Sequence, residues 1–481
     1  MGSQSRRPVV QMLERFAEGG PVSFHVPGHK NGNLTGLPDA VQGMMSWDVT
    51  ELPGLDDLHA PDGPIREAQE LLADAYGAHR SFFLVNGSTA GNLAMILAVC
   101  RPGDRIIVQR NAHKSIFHGL VLAGARPVYV DPVWDANTRS PGHTETELVR
   151  EAIGMYPEAK AVILTNPTYY GRVSPHMREI ADVCHGAGIP LLVDEAHGAH
   201  FGIGAPFPES SLFQGADVVV QSAHKTLPAM TMASFLHVAQ GSLLDSQRIS
   251  YYLGMLQSSS PSYPLMASLD DARHYIANYS EKDLQTFLSF RKELIAGLDA
   301  LDGLSVIQPD DPLKLLLRAD GHSGNDLSEA LARVGVHTEL SDPYQALLVL
   351  PLLKDGQISL QEVLSAARKA AETLGPGRKT GQPPEPATKP AITAADGPPE
   401  VRPEASSEWI NYREAEGRLS AASVIPYPPG IPLLLPGEPI TGEKIRSLHQ
   451  HLTAGTAFQG THRLDVQQIL VSRQSPEAYY I

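Results

Sequence analysis

Short, largely apolar segments alternate with helical patterns between residues 64 and 222, and this alternation constrains the fold more than any other feature. The segments are SFFLV (81–85), RIIVQR (105–110), ARPVYVD (125–131), KAVILTN (160–166), IPLLVDE (189–195) and ADVVVQS (216–222). Strands without polar alternation are buried on both faces, which is typical of a parallel sheet covered by helices. Helices are predicted between them, for example at 66–77. We therefore predict a large α/β domain over residues 61–255.

Turn residues and composition divide the rest of the chain. Residues 1–60 hold an amphipathic opening segment and then loops rich in Gly and Pro. Residues 256–374 contain a long predicted helix over 265–300, followed by a smaller α+β domain. Residues 375–405 are rich in Pro and Ala and poor in large apolar residues, which indicates a flexible or extended linker. A short C-terminal domain is predicted over 406–481.

Charge and cysteine content exclude several classes of protein. The formal net charge of −15 argues against a nucleic-acid backbone or an anionic membrane surface as partner. The two cysteines cannot form a disulfide scaffold, which favours a reducing compartment. Because the chain shows neither a signal-peptide pattern nor an apolar run of about 18 residues, we expect a cytoplasmic protein without a membrane span.

Two polar motifs follow apolar segments, at the strand ends where open parallel sheets bind ligands. SAHK contains Lys225 directly after the segment ADVVVQ. A lysine that forms an imine needs local desolvation, which the end of a buried strand supplies; an ordinary surface lysine is the alternative. In LLVDEAHGAHF the strand ends at Asp194, where a carboxylate can hold a pyridine nitrogen in its protonated form.

The DEAH stretch within the second motif has two competing interpretations. DEAH is also a helicase signature, but that class requires a GxxxxGK[ST] phosphate loop, and the sequence contains none. His197 and His200 are spaced as metal ligands, but the pair lacks a convincing third protein ligand nearby. No metal is therefore expected.

Two further motifs suit an anion and an aromatic ring. VNGSTAGN puts Ser88 and Thr89 at the predicted start of a helix, where hydroxyls and backbone N–H groups bind phosphate. Simple N-capping is the alternative. RNAHKS puts His113 after the strand RIIVQ, where an imidazole can stack on a ring or transfer a proton; a packed loop histidine is the alternative.

Together the motifs resemble those of the Orn/Lys/Arg decarboxylase family, in its short bacterial form. The resemblance is carried by FHVPGHK, LDDLHAP, VNGSTAGN, RNAHKS, NPTYYG, LLVDEAHGAHF, SAHK, QSSSPSYPLMASLD and YPPGIPLLLPGE. It implies an aspartate-aminotransferase-like fold of type I, with a large α/β domain built on a parallel or mixed sheet, a smaller α+β domain and a short C-terminal domain. It also implies pyridoxal 5′-phosphate (PLP) as cofactor, a basic amino acid as substrate, and a homodimer or higher assembly.

The resemblance also implies a role for each motif residue. Lys225 carries PLP as a Schiff base, Asp194 pairs with the ring nitrogen, and His113 stacks on the ring while Ala196 packs against the other face. The residues expected around the phosphate are Ser88, Thr89, Ser222 and His224, with Ser258 or Ser259 reaching the partner subunit's cofactor. His197 stands where large inducible relatives often carry Trp, and their N-terminal wing domain is absent, so a biosynthetic role in polyamine production is expected.

The substrate's distal cation needs an acidic partner, and Glu438 is the predicted one. The other candidates are Asp56, Asp57, Glu339 and Asp342. Arginine is the preferred substrate, because short relatives resemble arginine decarboxylases, with lysine or ornithine as the alternative. An aminotransferase that clamps the α-carboxylate with Arg318 or Arg333, and an inactive binding protein, are two further alternatives. The proton donor to Cα is Lys225, His224 or His113.

Overall fold

The computed structural model describes residues 3–354, 358–374, 377, 390–395, 397–399, 406–427, 432–453 and 456–473. The chain divides into two compact units. The first contains Met1–Val99 and Gly188–Glu281, and the second contains Cys100–Ala187 and Lys282–Ile481. No helix among the described residues is long and apolar enough to cross a membrane.

The helices follow the amphipathic and apolar patterns of the sequence. Their bounds are α1 (Pro8–Glu18), α2 (Asp39–Met45), α3 (Pro64–Ala75), α4 (Gly87–Val99), α5 (Lys114–Ala123), α6 (Thr146–Met155), α7 (Met177–Gly186), α8 (Ala223–Thr226), α9 (Ser246–Leu256), α10 (Tyr263–Ala277), α11 (Glu281–Asp299), α12 (Gly324–Arg333), α13 (Leu360–Leu374) and α14 (Gly442–Thr453).

The strands are short, and most of those between residues 80 and 238 are buried along almost their whole length. Their bounds are β1 (Arg80–Leu84), β2 (Arg105–Gln109), β3 (Arg126–Val130), β4 (Trp134–Asp135), β5 (Ser140–Pro141), β6 (Val162–Thr165), β7 (Leu191–Asp194), β8 (Val218–Gln221), β9 (Ser234–Val238), β10 (Leu304–Ile307), β11 (Lys314–Ala319), β12 (Leu340–Ser341), β13 (Ala346–Val349), β14 (Ile392–Ala394), β15 (Ser407–Asn411), β16 (Val424–Tyr427), β17 (Ala457–Gly460), β18 (His462–Arg463) and β19 (Gln468–Ser472).

In the first unit, β1, β9, β8 and β7 form a mixed sheet in that order. β7 and β8 are parallel, which confirms the prediction from their apolar sequences, whereas β9 is antiparallel to both of its neighbours. Strand β9 is not predicted from the sequence, because the polar residues Ser234 and His237 interrupt its apolar pattern. Both are fully buried, and His237 bonds to Ser81 and Gln221.

Helix α4 packs closely on this sheet, and its start is therefore held at the sheet edge. Gly91 makes the close approach possible, since a Cβ atom at this position would lie 2.8 Å from Leu84 and 2.9 Å from Val220. Real Cβ atoms do not approach other atoms this closely, so a larger residue would push α4 off the sheet. The first turn of α4, which carries Ser88 and Thr89, depends on this packing.

In the second unit, β6, β2, β3 and β14 form a second mixed set of strands. β2 is parallel to both β6 and β3, as predicted, and β14 adds an antiparallel strand from within the segment interpreted as a linker. Most of the remainder of that segment lies outside the described residues. A separate antiparallel sheet, in the order β10-β11-β13-β12, forms the smaller α+β part that the sequence predicts.

The helix predicted over 265–300 is two helices, α10 and α11, because the chain turns at Asn278. The side chain of Asn278 donates to the carbonyl oxygens of Gln4 and His274, which ends α10. The C-terminal part has an apolar core of its own, formed between its sheets and α14. Its buried members are Tyr412, Ala415, Val424, Leu434, Ile440, Leu448, Leu464, Ile469 and Val471.

Candidate active site

Asp194 is the last residue of β7 and is 2% exposed. Asn92 of α4 donates from Nδ2 to one carboxylate oxygen at 3.0 Å, and the Ala196 N–H donates to the other at 3.2 Å. The two donors hold the carboxylate in one orientation at the end of the strand. Asn92 was not singled out in the sequence, although it lies within the motif VNGSTAGN, four residues after Ser88 on the same helix face.

Lys225 lies in the short helix α8, which follows β8. Its Nζ atom is 3.0 Å from Nε2 of His197, and the lysine is half-buried while His197 is buried. His197 comes from the loop after β7. The segments that follow two neighbouring parallel strands therefore bring the lysine and the histidine into hydrogen-bond contact.

The hydroxyls of Ser88 and Ser222 meet at the start of α4. Ser222 Oγ donates to Ser88 Oγ at 3.0 Å, and Ser222 is fully buried at the end of β8. Thr89 is exposed in the first turn of the same helix. These three hydroxyls and the N-terminal backbone N–H groups of a thirteen-residue helix are suited to bind an anion.

His224 is held by its own backbone surroundings. Its Nδ1 donates to the Ala233 carbonyl oxygen at 3.0 Å, which makes Nε2 the unprotonated nitrogen of the neutral ring. Burial lowers the pKa of His224, the hydrogen bond to Ala233 acts in the opposite direction, and the charge of Lys225 lowers it further. A phosphate dianion beside Nε2 would reverse this balance and favour the protonated ring.

Glu195, within the DEAH stretch, and His200, three residues after it, have structural roles. Glu195 is fully buried and accepts hydrogen bonds from Ser210, Ser211 and Gln221, while burial raises its pKa to about 7. His200 is fully buried and meets the rings of Phe201 and Phe207 edge-on. His197 and His200 therefore have different surroundings, the first against Lys225 and the second among aromatic rings.

His113 and Glu438 belong to the second unit. His113 is the N-cap residue of α5 and follows β2 after three residues. Its Nδ1 accepts from the Ser115 N–H at 3.3 Å and lies 2.8 Å from Ser115 Oγ. These contacts orient the exposed imidazole ring and place its edge, not its face, against α5.

Glu438 lies in a buried ion-pair network of its own chain. These surroundings do not support the sequence-based prediction that it binds the distal cation of the substrate. It is fully buried, and Arg110 donates to both of its oxygens. Lys444 Nζ and the Leu435 N–H each donate at 3.1 Å as well. Burial alone would raise the pKa of Glu438, but Arg110 and Lys444 outweigh it and the pKa is lowered. A carboxylate already shared by two cations of its own chain is a poor receptor for a third.

Two of the other acidic candidates are also committed to their own chain. The Asp56 carboxylate accepts from the backbone N–H groups of Asp57, Asp62, Gly63, Ile65 and Arg66, and so caps the start of α3. Asp342 is buried and accepts from the Tyr170 hydroxyl at 2.6 Å and from two backbone N–H groups. Both carboxylates are therefore already hydrogen-bonded within their own chain.

Glu339 and Asp57 keep more accessible carboxylates. Glu339 is exposed, and the Tyr169 hydroxyl donates to one of its oxygens at 2.6 Å. Asp57 is half-buried and accepts from the His59 N–H at 2.8 Å. Tyr169 belongs to the motif NPTYYG, so the sequence had flagged its segment but not this contact.

A cavity of about 750 Å³ lies elsewhere in the first unit, between α3, β1 and α9. Its walls include Gln69, Arg80 and Gln257, but neither Asp194 nor Lys225. Gln69 and Gln257 hold the backbone of β1 through Phe83 and Val85. The candidate site is therefore identified by the side chains of Asp194 and Lys225, and not by the size of a cavity.

Ser258 and Ser259 are exposed in the loop after α9. The Ser258 carbonyl oxygen bonds to His59 Nε2 at 2.8 Å, and its N–H donates to the Asn86 side chain at 3.4 Å. These contacts fix the loop backbone and leave the Ser259 side chain on the surface. Tyr251 and Met255 on α9 are also exposed, with 66% and 64% of their surface accessible.

Comparison with known proteins identifies the family of the chain. The family model described as Orn/Lys/Arg decarboxylase, major domain, matches residues 7–312, and the C-terminal domain model of the same family matches residues 382–463. The uncharacterized protein YaaO of Bacillus subtilis (strain 168) is 46% identical over 475 residues, which cover 96% of this chain and 98% of that protein. The arginine decarboxylase of the same organism is 34% identical over 490 residues, with coverage of 98% and 99%.

Solved structures show the same fold. The constitutive lysine decarboxylase of E. coli superposes with a TM-score of 0.76 at 20% identity, covering 98% of this chain and 82% of that one. A serine palmitoyltransferase from S. paucimobilis, solved with bound PLP, gives a TM-score of 0.51 at 16% identity over 76% and 84% of the two chains. These likenesses confirm the predicted fold-type-I architecture. From the family models and the full-length relatives, the chain belongs to the Orn/Lys/Arg decarboxylase family of amino-acid decarboxylases.

Proposed function

We propose that the chain converts L-arginine to agmatine and CO₂ with PLP as cofactor. The observation that carries the proposal is the arrangement at the ends of β7 and β8. Asp194 is oriented there by Asn92, and Lys225 contacts His197. When bound, PLP would act as an electron sink for the cleavage of the bond between Cα and the carboxylate. The residues of this chain have to hold it, orient the substrate and move protons.

The first unit fits the phosphate end of PLP. Ser88, Thr89 and Ser222 offer hydroxyls at the start of α4, and backbone N–H groups there add to them. Nε2 of His224 completes the set as a donor once a phosphate anion raises the pKa of the ring. No acidic side chain is among these residues, which suits an anionic ligand.

The same unit fits the pyridine end. The buried Asp194 carboxylate, fixed by Asn92 and Ala196, is suited to hold a proton on the ring nitrogen. Ala196, directly after the strand end, offers a small methyl face for one side of a flat ring. We assign the other face to His113, as the family resemblance implies; its Nδ1 is held by Ser115.

Lys225 would bind the cofactor as a Schiff base, which requires its neutral amine. Nε2 of His197, at 3.0 Å from Nζ, is positioned to accept the ammonium proton and to return it later. We therefore assign His197 as the proton-transfer partner of Lys225. This contact also favours Lys225, with His197 behind it, over His224 or His113 as the donor that reprotonates Cα.

For the distal cation of the substrate we propose Glu339, supported by Tyr169. Of the five acidic candidates, Glu339 has the most exposed carboxylate, and the Tyr169 hydroxyl holds it in one position. Glu438, Asp56 and Asp342 are occupied by donors of their own chain. A guanidinium can form two parallel hydrogen bonds to such a carboxylate, which favours arginine.

We propose that the working assembly is a homodimer. We also propose that the protein acts in the cytoplasm and that its role is polyamine production. Exposed apolar side chains flank the loop of Ser258 and Ser259, among them Tyr251 and Met255 on α9. Large apolar groups on a surface are typical of interfaces. Ser259 would then reach the phosphate of the partner subunit's cofactor.

Lysine or ornithine is the alternative substrate, because the family description covers all three amino acids. Transamination is less favoured. Arg318 is occupied by Gln345 and by the Asn137 carbonyl oxygen, and Arg333 lies on the surface near Glu329, so neither is poised to clamp an α-carboxylate.

The proposal is tested by adding PLP to the purified protein and measuring CO₂ release from arginine, lysine and ornithine. We expect a visible absorbance band on PLP binding and the highest kcat/KM with arginine. Lys225→Ala should lose both the band and turnover, since the Schiff base needs this amine. CO₂ release by Lys225→Ala would overturn the assignment of the lysine, and a preference for lysine would overturn the choice of substrate.

A further inference from the structure

Three potential metal ligands meet in the second unit, at the starts of two helices. One ligand atom of each of His143, Glu145 and His176 lies within 4.8 Å of the other two. Glu145 is the residue before α6, and His176 is the residue before α7. Because α6 and α7 pack against each other, residues from two distant parts of the sequence come together.

The spacing of these atoms suits a tetrahedral ion. Nε2 of His143 is 3.5 Å from Oε1 of Glu145. Bonds of about 2.0–2.2 Å to zinc place two tetrahedral ligands about 3.3–3.5 Å apart, so this pair already has the required separation. The rings of His143 and His176 are tilted by 58° with centroids 5.9 Å apart, an arrangement in which two edges can point at one ion.

The half-buried ring of His143 lies beside Glu145 and His176. Among the described residues, its buried Nδ1 atom has no hydrogen-bond partner. The other ring nitrogen, Nε2, faces the carboxylate of Glu145 and is the atom that would bind a metal.

The charges around the cluster also favour a cation. Glu179, in the first turn of α7, lies 3.4 Å from Nδ1 of His176 and adds a second carboxylate. Arg172 is the nearby positive group, but it is paired with Asp135 at 3.2 Å and with Asp310 at 2.7 Å. The carboxylates of Glu145 and Glu179 also offset the positive ends of the two helices.

We propose that His143, Glu145 and His176 bind a divalent transition-metal ion, with Zn²⁺ as the best match. Two imidazoles and one carboxylate are ligands that zinc prefers, and water or Glu179 completes the tetrahedron. The ion would join the segment before α6 to the segment before α7. None of its ligands is assigned to PLP or to the substrate. From the sequence no metal is expected, because His197 and His200 lack a convincing third protein ligand nearby.

The test uses the PLP-loaded, full-length protein after treatment with a chelator. Zn²⁺ alone is titrated against a chromophoric indicator, and Co²⁺ is added separately to record its visible absorption. The variants are His176→Ala and Glu145→Gln, and the control is His185→Ala, an exposed histidine at the end of the same helix α7. Thermal unfolding is measured with and without Zn²⁺.

We expect the wild type and the control to bind one equivalent of Zn²⁺ per chain. Neither His176→Ala nor Glu145→Gln should bind this equivalent. Zn²⁺ should raise the unfolding midpoint of the wild type and the control only, and the tetrahedral Co²⁺ band should be absent from the variants. Equal binding and equal Co²⁺ spectra in the wild type and both variants would overturn the site. If His176→Ala fails to fold, Glu145→Gln decides, because that carboxylate is half-exposed and its amide keeps the shape.

Discussion

Nζ of Lys225 lies 3.0 Å from Nε2 of His197, and this contact joins helix α8, which follows β8, to the loop that follows β7. An amine attacks a carbonyl only when it is neutral, and a neighbouring imidazole is the side chain best matched to take up its proton near pH 7. The contact therefore links the proposed Schiff-base lysine to a proton acceptor that comes from the neighbouring strand.

Replacing His197 should slow the reaction without removing the cofactor. In His197→Phe a flat aromatic ring is kept but the proton acceptor is lost, so we expect kcat to fall by about 10²-fold or more. The PLP absorbance band should persist, because Lys225 is intact. Single-turnover kinetics and absorbance measure the two effects, with His118→Ala, an exposed histidine on α5, as control. A kcat within a few-fold of wild type would remove His197 from the mechanism.

Asp194→Asn should keep some PLP but lose most activity. An amide cannot hold the ring nitrogen protonated, and the loss of one such electrostatic partner costs about 10²–10³-fold in kcat. Asn92→Ala should have a smaller effect in the same direction, since Asn92 only positions the carboxylate. Steady-state kinetics on protein saturated with PLP distinguish the two; activity of Asp194→Asn near the wild-type level would show that Asp194 is placed wrongly.

Glu339→Gln should weaken the recognition of arginine. A charge-assisted hydrogen bond contributes about 1.5–3 kcal/mol, which corresponds to about 10–150-fold in kcat/KM. PLP absorbance should not change. Glu329→Gln, an exposed glutamate of the same part of the chain, is the matched control. Unchanged arginine kinetics in Glu339→Gln would transfer the role to Asp57.

Glu438→Gln should affect stability rather than substrate binding. It leaves Arg110 and Lys444 beside a neutral amide in a buried position, and breaking a buried ion pair costs about 3–5 kcal/mol in the free energy of unfolding. Denaturant unfolding measures the loss, with Glu408→Gln at the more exposed pair with Arg418 as control. In the folded fraction, KM for arginine should stay the same; a raised KM with wild-type stability would return Glu438 to the substrate site.

The same ion pair predicts a pH dependence with a definite sign. The pKa of Glu438 is lower in the folded protein than its ordinary value of about 4.3. Its contribution to stability is therefore complete above the unfolded-state pKa and is lost as the pH falls through the folded-state pKa. Below about pH 4 the difference in unfolding free energy between wild type and Glu438→Gln should shrink.

Strand β7, strand β8 and helix α4 could be predicted because each is specified by local pattern. The runs LLVD and VVVQ are buried at every residue, and the small residues of GSTAGN begin a helix directly after a strand. Strand β9 was missed because its burial of His237 depends on Ser81 and Gln221, which are distant in sequence. From sequence alone a polar residue is expected to be exposed, and its burial can be inferred only when its hydrogen-bond partners are known.

By itself, the sequence determined the α/β class of the large domain and the order of the motifs, and the family resemblance supplied the proposed roles of Lys225, Asp194 and the hydroxyls near the proposed phosphate site. The α/β class follows from apolar strand runs, which are properties of neighbouring residues. Only the tertiary structure decided which acidic and imidazole side chains are already occupied. Glu438 pairs with Arg110 across 328 residues of sequence, and His197 reaches Lys225 across 28. Burial and hydrogen bonding between distant residues set the chemistry of these groups, and no local pattern encodes them.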